Sequence, residues 1–251
     1  MTDIISREIQ LVSRPKGMPT PDNFTITQTE IKPLQDGQVL VRNHYISVDP
    51  YMRGRMNESK SYVPPFELGK TLEGGAVGEV IESRAQEFKP GDVVTEKVKF
   101  LLEECGFDRA FNYNSGPILE QLNQAAPDGI DVYFDNVGGE TLQAALSALR
   151  VHGRIIACGG ISGYNKPQPG PNNLFNMIGK RLTMKGLLVR DWLDRQSEFE
   201  QEAGGYFQAG KLKNQETVVA GIDQAVGAFI GLFEGKNIGK MVVKLDQAAT
   251  N

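Results

Sequence analysis

Residues 130–139 read Ile130-Asp131-Val132-Tyr133-Phe134-Asp135-Asn136-Val137-Gly138-Gly139, an apolar run that ends in two glycines. Residues 153–160 repeat this pattern, since Ile155-Ile156-Ala157 leads into Cys158-Gly159-Gly160. Short apolar runs that end in glycine turns are typical of buried parallel strands. Helical patterns alternate with these runs, and this alternation favours a parallel sheet that helices cover on both faces. The predicted fold class is therefore α/β.

The chain changes character near residue 95. Before this point, partial alternation and β-branched residues predict strands at 8–12, 24–31, 39–48, 76–81 and 92–94. After it, apolar residues at 98, 101, 102 and 105 recur at helical spacing. Later strands are predicted at 110–112, 131–136, 154–158, 183–189 and 240–245, later helices at 118–125, 140–149 and 173–179, and a helical stripe at Ile222, Val226, Phe229 and Phe233. We therefore expect three parts, at 1–94, 95–220 and 221–251.

The cluster Gly74-Gly75-Ala76-Val77-Gly78 has the glycine content of a phosphate-binding loop. Such a loop must follow a strand and open a helix, so that backbone N–H groups and the helix dipole meet the phosphate. Here the cluster runs into Glu79-Val80-Ile81, which has the pattern of a strand. We therefore predict a twisted strand whose backbone closely approaches its neighbour.

Composition and charge argue against several classes of protein. The net charge of −4 and the isoelectric point near 5.4 give no electrostatic attraction to nucleic acid or to an anionic membrane. No apolar run approaches the roughly 20 residues that a membrane span needs. The first residues lack the pattern of a signal peptide, so a cytoplasmic location is expected. The two cysteines are Cys105 and Cys158, and the two histidines are His44 and His152. These four residues lack the spacing of a zinc site.

Four segments that occur in a fixed order carry a family resemblance. They are Asp49-Pro50-Tyr51-Met52-Arg53-Gly54-Arg55-Met56, Phe134-Asp135-Asn136-Val137-Gly138-Gly139, Cys158-Gly159-Gly160-Ile161-Ser162-Gly163-Tyr164-Asn165 and Gly235-Lys236-Asn237-Ile238-Gly239-Lys240. These segments resemble the zinc-independent branch of the medium-chain dehydrogenase/reductase superfamily, and most closely its NADPH-dependent alkenal/one reductases. The resemblance implies a GroES-like β-rich domain joined to a Rossmann-like parallel sheet, with the last strand returning to the first domain. It also implies NADPH as the cofactor.

One part of the family pattern is missing from the sequence. The resemblance implies that the strand ending near Val94 should lead into the rest of the first domain, and then into the first strand, glycine-rich turn, helix and second strand of the Rossmann-like sheet. Here Val94 runs through Thr95 into Glu96-Lys97-Val98, which resembles the helix after that second strand. A strand–helix–strand unit takes about 30 residues or more. We therefore predict an internal deletion after Val94, which leaves the Rossmann-like sheet without its first strand-helix-strand.

The resemblance implies cofactor contacts at individual residues. Lys97 matches a lysine that pairs with the 2′-phosphate of NADPH, and Tyr113 matches a position near that phosphate. Asn136 ends a strand where its amide can bond the ribose or the nicotinamide, and Asn237 matches an asparagine near the nicotinamide. From the sequence alone Asn237 is equally typical of a turn. The other residues expected around the nicotinamide half are Cys158, Gly159, Gly160, Ile161, Ser162, Tyr164, Leu187, Leu188 and Val189.

The same resemblance implies hydride transfer from NADPH to the β-carbon of an α,β-unsaturated carbonyl compound, an enone or an alkenal. Negative charge then develops on the carbonyl oxygen, and a proton must reach the α-carbon. The phenol of Tyr164 is the first candidate to orient the nicotinamide or to donate this proton, with water as the alternative proton source. Tyr51 and Tyr62 are candidates for lining the substrate pocket.

Two other functions remain open on the sequence. A quinone reductase of the same superfamily would share the cofactor site and differ in its substrate pocket. A non-catalytic truncated relic or binding module would result if the loss of the glycine-rich turn left only a scaffold. The expected partner is a small-molecule enone or alkenal, with no nucleic acid and no membrane, and the resemblance implies a homodimer.

Overall fold

A computed structural model describes residues 4–36, 38–59, 61–83, 108–111, 113, 116–212 and 215–245. Contacts within the chain divide it into two compact units, a first unit of Met1–Lys99 with Asn214–Asn251 and a second unit of Phe100–Lys213. The strand predicted at 92–94 and the helical stripe at 98–105 lie outside the described residues. The division into three parts at 1–94, 95–220 and 221–251 stays a prediction.

The elements follow one another in chain order. The strands are β1 (Ile5–Leu11), β2 (Phe24–Glu30), β3 (Val39–Ser47), β4 (Ala76–Ser83), β5 (Ile130–Asp135), β6 (Leu149–Ala157), β7 (Thr183–Gly186), β8 (Glu216–Ala220) and β9 (Lys240–Lys244). The α-helices are α1 (Tyr51–Arg55), α2 (Ile118–Ala125), α3 (Gly139–Ala148), α4 (Phe175–Gly179), α5 (Gln196–Gln208) and α6 (Ala225–Phe233). Short 3₁₀ helices lie at Pro21–Asn23, Ile161–Gly163, Val189–Arg195 and Ile222–Gln224.

The described residues of the first unit form two sheets. Strands β1 and β2 form an antiparallel pair, and a second sheet has the order β4-β3-β9-β8. Strand β9 lies antiparallel to β3, with Tyr45 opposite Lys244, and parallel to β8. The ammonium group of Lys240 on β9 forms an ion pair with Asp49, which lies two residues before α1. Residues from the two ends of the sequence therefore share one sheet.

The glycine cluster at 74–78 leads into a strand, as predicted. Strand β4 begins at Ala76, and Gly78 lies opposite Asn43 of β3. A Cβ atom added at Gly78 would lie 2.5 Å from the carbonyl oxygen of Arg42, a distance that no side chain tolerates. The close approach of the two backbones explains this glycine without a phosphate ligand.

The core of the first unit packs around α6. Phe229 of this helix is only 4% exposed, and its ring makes edge-to-face contacts with Phe24 and Phe233 at centroid distances of 6.3 and 5.3 Å. The predicted apolar stripe is helical, because the 3₁₀ turn at Ile222–Gln224 continues directly into α6. The buried residues of this core are Leu11, Val48, Met56, Phe66, Ala225, Ala228, Phe229, Met241 and Val243.

The second unit contains a three-stranded parallel sheet of order β5-β6-β7. One face of this sheet packs on helices through a small core of Leu146, Leu149, Ile155 and Leu182. Parallel strands need crossover connections, and α3 and α4 provide them after β5 and β6. The α/β fold class, with a β-rich unit and a Rossmann-like parallel sheet, is confirmed.

Several sequence-based boundaries are wrong. Strand β7 ends at Gly186 rather than at 189, because the next residues turn into a 3₁₀ helix. Ala110 and Phe111 lie outside any strand, although the sequence predicts one there. The sequence patterns also miss helix α5 and strand β8. Two adjacent glycines inside α5 hide its helical pattern, since glycine is a poor helix former.

Within the described part of the chain, no helix combines the length and the apolar character that crossing a bilayer would require.

Replacing Phe229 by alanine should destabilise the first unit by about 3–5 kcal/mol. The variant loses the transfer free energy of the buried ring and its contacts with Phe24 and Phe233, and it leaves a cavity. Chemical denaturation followed by circular dichroism measures this change. Ile238→Ala, at an exposed position, should change the free energy of unfolding by less than about 0.5 kcal/mol. Equal effects of the two variants would contradict the assigned core.

Candidate active site

The three parallel strands of the second unit end at one edge of their sheet. Asn136, Cys158 and Leu187 are the first residues beyond β5, β6 and β7. The N–H of Cys158 donates to the carbonyl of Asp135 at 2.8 Å, and the N–H of Leu187 donates to that of Ala157 at 2.9 Å. Three segments that the sequence assigned separately to the cofactor therefore meet at this carboxyl edge. Such edges are where open parallel sheets bind ligands.

A buried carboxylate shapes this edge. Asp135 is 2% exposed, and its Oδ1 accepts hydrogen bonds from the Tyr133 hydroxyl at 2.8 Å and from the N–H groups of Val137 and Gly138 at 2.9 Å each. Three donors on one oxygen compensate for the removal of the carboxylate from water. The chain after β5 is thereby bent away from the strand direction.

Burial raises the pKa of Tyr133 above its ordinary value and is the larger cause of this shift. The hydrogen bond to Asp135 is the second cause. The phenol therefore stays protonated and keeps its role as a donor to the carboxylate.

Backbone bonds join the turn after β5 to the segment after β6. The N–H of Ile161 donates to the carbonyl of Asn136 at 3.2 Å. The N–H and the hydroxyl of Ser162 both donate to the carbonyl of Val137, at 3.1 and 2.7 Å. Ile161 and Ser162 thus have a structural role at the edge.

Two glycines allow the close packing of these turns. Gly138 has φ of 72°, a conformation that favours glycine, immediately before α3 begins. At Gly159 a Cβ atom would lie 3.2 Å from the carbonyl oxygen of Asn136. At Gly160, in contrast, a Cβ atom would meet nothing within 4 Å, so this part of the edge is open.

The polar side chains at the edge differ in what they offer a ligand. Asn136 is exposed, and no described residue forms a hydrogen bond with its amide group. Cys158 is an exposed free thiol. Tyr164 follows the 3₁₀ helix Ile161–Gly163 and is half-buried. Asn136 thus follows β5, whereas Gly160 and Tyr164 lie at the two ends of the 3₁₀ helix Ile161–Gly163.

The remaining cofactor residues predicted for this unit have different positions. Leu187 and Leu188 are half-buried and Val189 is exposed just beyond β7. Tyr113 is exposed and precedes α2. Lys97 lies outside the described residues.

In the first unit, Tyr51 lies close to Arg55 and to Tyr62. Burial raises the pKa of Tyr51 and is the largest cause of this shift, and the charge of Asp49 is the second. Arg55 opposes the shift through its own charge and a hydrogen bond. Arg55 donates from Nε to the carbonyl of Pro64 at 2.9 Å. The structure therefore brings the two predicted tyrosines into one cluster.

Asn237 of the same unit donates from its amide to the carbonyl of Gly239 at 2.7 Å. This bond lies in the turn between α6 and β9, as the turn interpretation of the sequence implied.

Two polar residues that are not among the predicted site residues position these segments. One is Asp135, whose contact with an N–H two residues later is a recognised turn pattern of aspartate. The other is Arg53, which is 3% exposed and donates to the carbonyl of Gly17 at 2.8 Å and to the side chain of Asn57 at 2.8 Å. Burial lowers the pKa of Arg53. Arg53 fixes α1, which begins at Tyr51.

In the part of the chain that the structure describes, no group of three or more His, Cys, Asp or Glu side chains could hold a metal ion.

Family comparisons agree with this architecture. Residues 7–101 match a family described as the N-terminal domain of oxidoreductase, and residues 92–204 match a family described as zinc-binding dehydrogenase. A protein of Bacillus subtilis named a putative NADP-dependent oxidoreductase, YfmJ, is 31% identical, with 95% of this chain and 97% of the relative covered. A 2-alkenal reductase (NADP(+)-dependent) of Nicotiana tabacum is 30% identical, with 98% and 99% covered.

A solved structure is also similar. The crystal structure of CurA from Vibrio vulnificus in complex with NADPH has a TM-score of 0.85 and 29% sequence identity, with 97% of this chain and 100% of that chain covered. The fold and the two family matches define an oxidoreductase of the medium-chain dehydrogenase/reductase superfamily. Within that superfamily, the chain belongs to the NADP-dependent alkenal reductase family.

The alignments also locate the difference from these relatives. The alignment with the Bacillus subtilis protein runs over 331 positions, whereas this chain has 251 residues, so at least 80 positions have no residue of this chain. The alignment nevertheless covers 97% of the relative. The shortfall is therefore internal. The two family matches overlap at residues 92–101, and the junction predicted after Val94 falls within that overlap but outside the described residues.

Removing the carboxylate of Asp135 should destabilise the second unit by at least about 3 kcal/mol, because Asp135→Ala leaves three donors without an acceptor. Urea denaturation followed by the fluorescence of Trp192, which lies in the same unit, measures this loss. Asp131→Ala is the matched control, since its exposed ion pair with Arg150 should contribute less than about 1 kcal/mol. A loss for Asp135→Ala no larger than the control's would contradict the assigned network.

The raised pKa of Tyr133 predicts a loss of stability at high pH. Above the ordinary tyrosine pKa of about 10, the unfolded chain loses this proton while the folded chain keeps it, so the free energy of unfolding falls as pH rises. Between about pH 9 and pH 11, the unmodified protein should therefore lose more stability than Tyr133→Phe, measured by urea denaturation at each pH. Parallel pH profiles of the two proteins would refute this role of the phenol.

Proposed function

We propose that the chain is an NADPH-dependent oxidoreductase that reduces the C=C bond of α,β-unsaturated carbonyl compounds. The observation that carries this proposal is the common edge at which Asn136, the segment after β6 and the segment after β7 meet. The names of the relatives from Bacillus subtilis and Nicotiana tabacum support the cofactor and the reaction class. An Escherichia coli relative, 28% identical, is named an NADPH-dependent curcumin reductase.

The residues at the edge fit the nicotinamide half of NADPH. Asn136 offers an amide that no described residue engages, and Gly160 leaves room for a ligand to approach the backbone. The phosphate half normally sits at the glycine-rich turn that follows the first strand of such a sheet, and among the described residues no first strand pairs with β5. NADPH binding is therefore proposed to rest on the nicotinamide half in this chain.

When bound, NADPH supplies a hydride to the β-carbon of the substrate and is oxidised to NADP⁺. The protein's task is to orient the reactants and to stabilise the charge that develops on the carbonyl oxygen. Tyr164 is proposed to orient the nicotinamide or to donate the proton that the α-carbon takes up, with water as the other proton source. Tyr51 and Tyr62, in their cluster with Arg55, stay candidates for contact with the substrate.

The proposal includes no zinc, because the two cysteines and two histidines of the sequence lack the spacing of a ligand set. A cytoplasmic location and a homodimer stay predictions from the sequence and from the family resemblance. A quinone would be an alternative electron acceptor at the same cofactor site.

One observation favours a second candidate, a non-catalytic binding module. At least 80 positions of the alignment with the Bacillus subtilis relative have no residue in this chain. If the positions that bind the pyrophosphate are among them, the affinity for NADPH falls, and turnover is lost while the scaffold remains.

Turnover with NADPH and a simple enone, such as 3-buten-2-one, tests the proposal through the loss of nicotinamide absorbance. The Tyr164→Phe variant should lower kcat by about 10²-fold, because a positioned proton donor contributes at least that much. Tyr206→Phe is the matched control, since this hydroxyl bonds Glu202 within α5 and should leave kcat unchanged.

The outcomes separate the candidates. Turnover with 1,4-benzoquinone but not with the enone would favour the quinone reductase. Neither turnover nor a change of NADPH fluorescence on mixing would reject the reductase and favour the binding module.

A further inference from the structure

The sheet of the second unit has one face without a packed layer among the described residues. Val132 and Phe134 of β5 are 43% and 51% exposed, and Phe134 lies beside Ile156 of β6. The residues that alternate with them face the other way, where Ile155 belongs to the buried core. Strands of parallel sheets are normally covered on both faces, so an exposed apolar face here requires an explanation.

Helix α5 presents a second apolar surface in the same unit. Its exposed aromatic residues are Phe199, Tyr206 and Phe207. Positions seven and eight residues apart lie on one side of an α-helix, so these rings form a stripe. This unit therefore exposes both an apolar sheet face and an aromatic helix stripe. Surfaces of this kind are normally buried under another layer of the fold.

The strand order indicates what is missing. Strands β5, β6 and β7 are neighbours in space in the same order as in the chain. In a doubly wound sheet of order 3-2-1-4-5-6, this is the arrangement of the last three strands, and the fourth strand has the first as its other neighbour. Among the described residues, β5 pairs only with β6. The edge of β5 that no described strand pairs with therefore corresponds to the place of a parallel first strand.

The relatives contain enough chain to fill this place. At least 80 aligned positions of the Bacillus subtilis relative have no residue in this chain, while a strand–helix–strand unit takes about 30 residues or more. One such unit would provide the neighbouring strand and a helix to cover the exposed face.

A second copy of this chain would meet like charges at this edge in one symmetric register. Two β5 strands related by a two-fold axis would pair antiparallel, as symmetric dimers require. A pairing centred on Tyr133 would then set Asp131 of each copy opposite Asp135 of the other. Like charges directly opposite each other destabilise a strand pair.

We propose that the open edge of β5 and the face formed by Val132 and Phe134 bind a separate polypeptide with a strand–glycine turn–helix–strand structure. Its first strand runs parallel to β5, and its helix covers the exposed face. The N-terminus of that helix then lies at the carboxyl edge near Asn136, where its N–H groups can hold a pyrophosphate. This inference concerns assembly and does not depend on the reductase activity.

The probe is the segment of the Bacillus subtilis relative that the alignment sets opposite the internal gap, produced as a separate polypeptide and co-expressed with the full chain. We expect the two to purify as a 1:1 complex, with mass and stoichiometry measured by analytical ultracentrifugation in the absence of NADPH. Phe134→Lys should weaken the complex by at least about tenfold, because it sets an unpaired charge in the apolar contact. Val132→Lys is a second variant with the same expected effect.

Phe175→Lys is the matched control. Phe175 is 77% exposed on α4, in the same unit but outside β5 and its open face, and its replacement should leave the affinity unchanged. A second form of the experiment inserts the segment between Val94 and Thr95, and this longer chain should unfold at a higher urea concentration than the 251-residue chain.

Three results would overturn the inference. One is the absence of a 1:1 complex, whatever the stability of the inserted chain. Another is a homodimer of the chain alone that Phe134→Lys dissociates, which would identify a second copy as the occupant. The third is a complex that Phe134→Lys and Phe175→Lys weaken equally.

Discussion

The hydrogen bonds that converge on Oδ1 of Asp135 are the contact on which the candidate site depends. They stop β5 at its last residue, turn the backbone into α3, and leave Asn136 exposed at the edge. Bonds from Ile161 and Ser162 then fix the neighbouring turn against it. A single buried carboxylate thus determines the shape of the edge at which the proposed reaction takes place.

Much of the architecture could be predicted from local pattern. The apolar runs at 131–136 and 154–158 fall in strands β5 and β6, although β6 begins earlier than predicted, at Leu149, and the helix predicted at 118–125 is α2 within the same bounds. These elements have strong apolar periodicity and glycines near their ends. The strand predicted at the glycine cluster 74–78 is also confirmed. The cluster leads into the residue pattern of a strand and not into that of a helix.

Other features depend on contacts that no local pattern contains. Helix α5 contains two adjacent glycines and no buried residue, so its sequence does not mark it as a helix. The importance of Asp135 comes from the burial of its side chain, which a sequence does not state. For the site, the resemblance supplied the residues, and the structure shows that those after β5, β6 and β7 share an edge. The contacts of these residues with the cofactor stay proposals.

The position of β9 has a consequence for biosynthesis. This strand lies between β3 and β8, and its Lys240 contacts Asp49, 191 residues earlier in the chain. A nascent chain cannot complete the four-stranded sheet until those late residues have left the ribosome. The parallel sheet of the second unit uses only residues 130–186 and can form earlier. During translation, β3 can pair with β4, but its other edge must wait for β9, and protection by chaperones matters most in that interval.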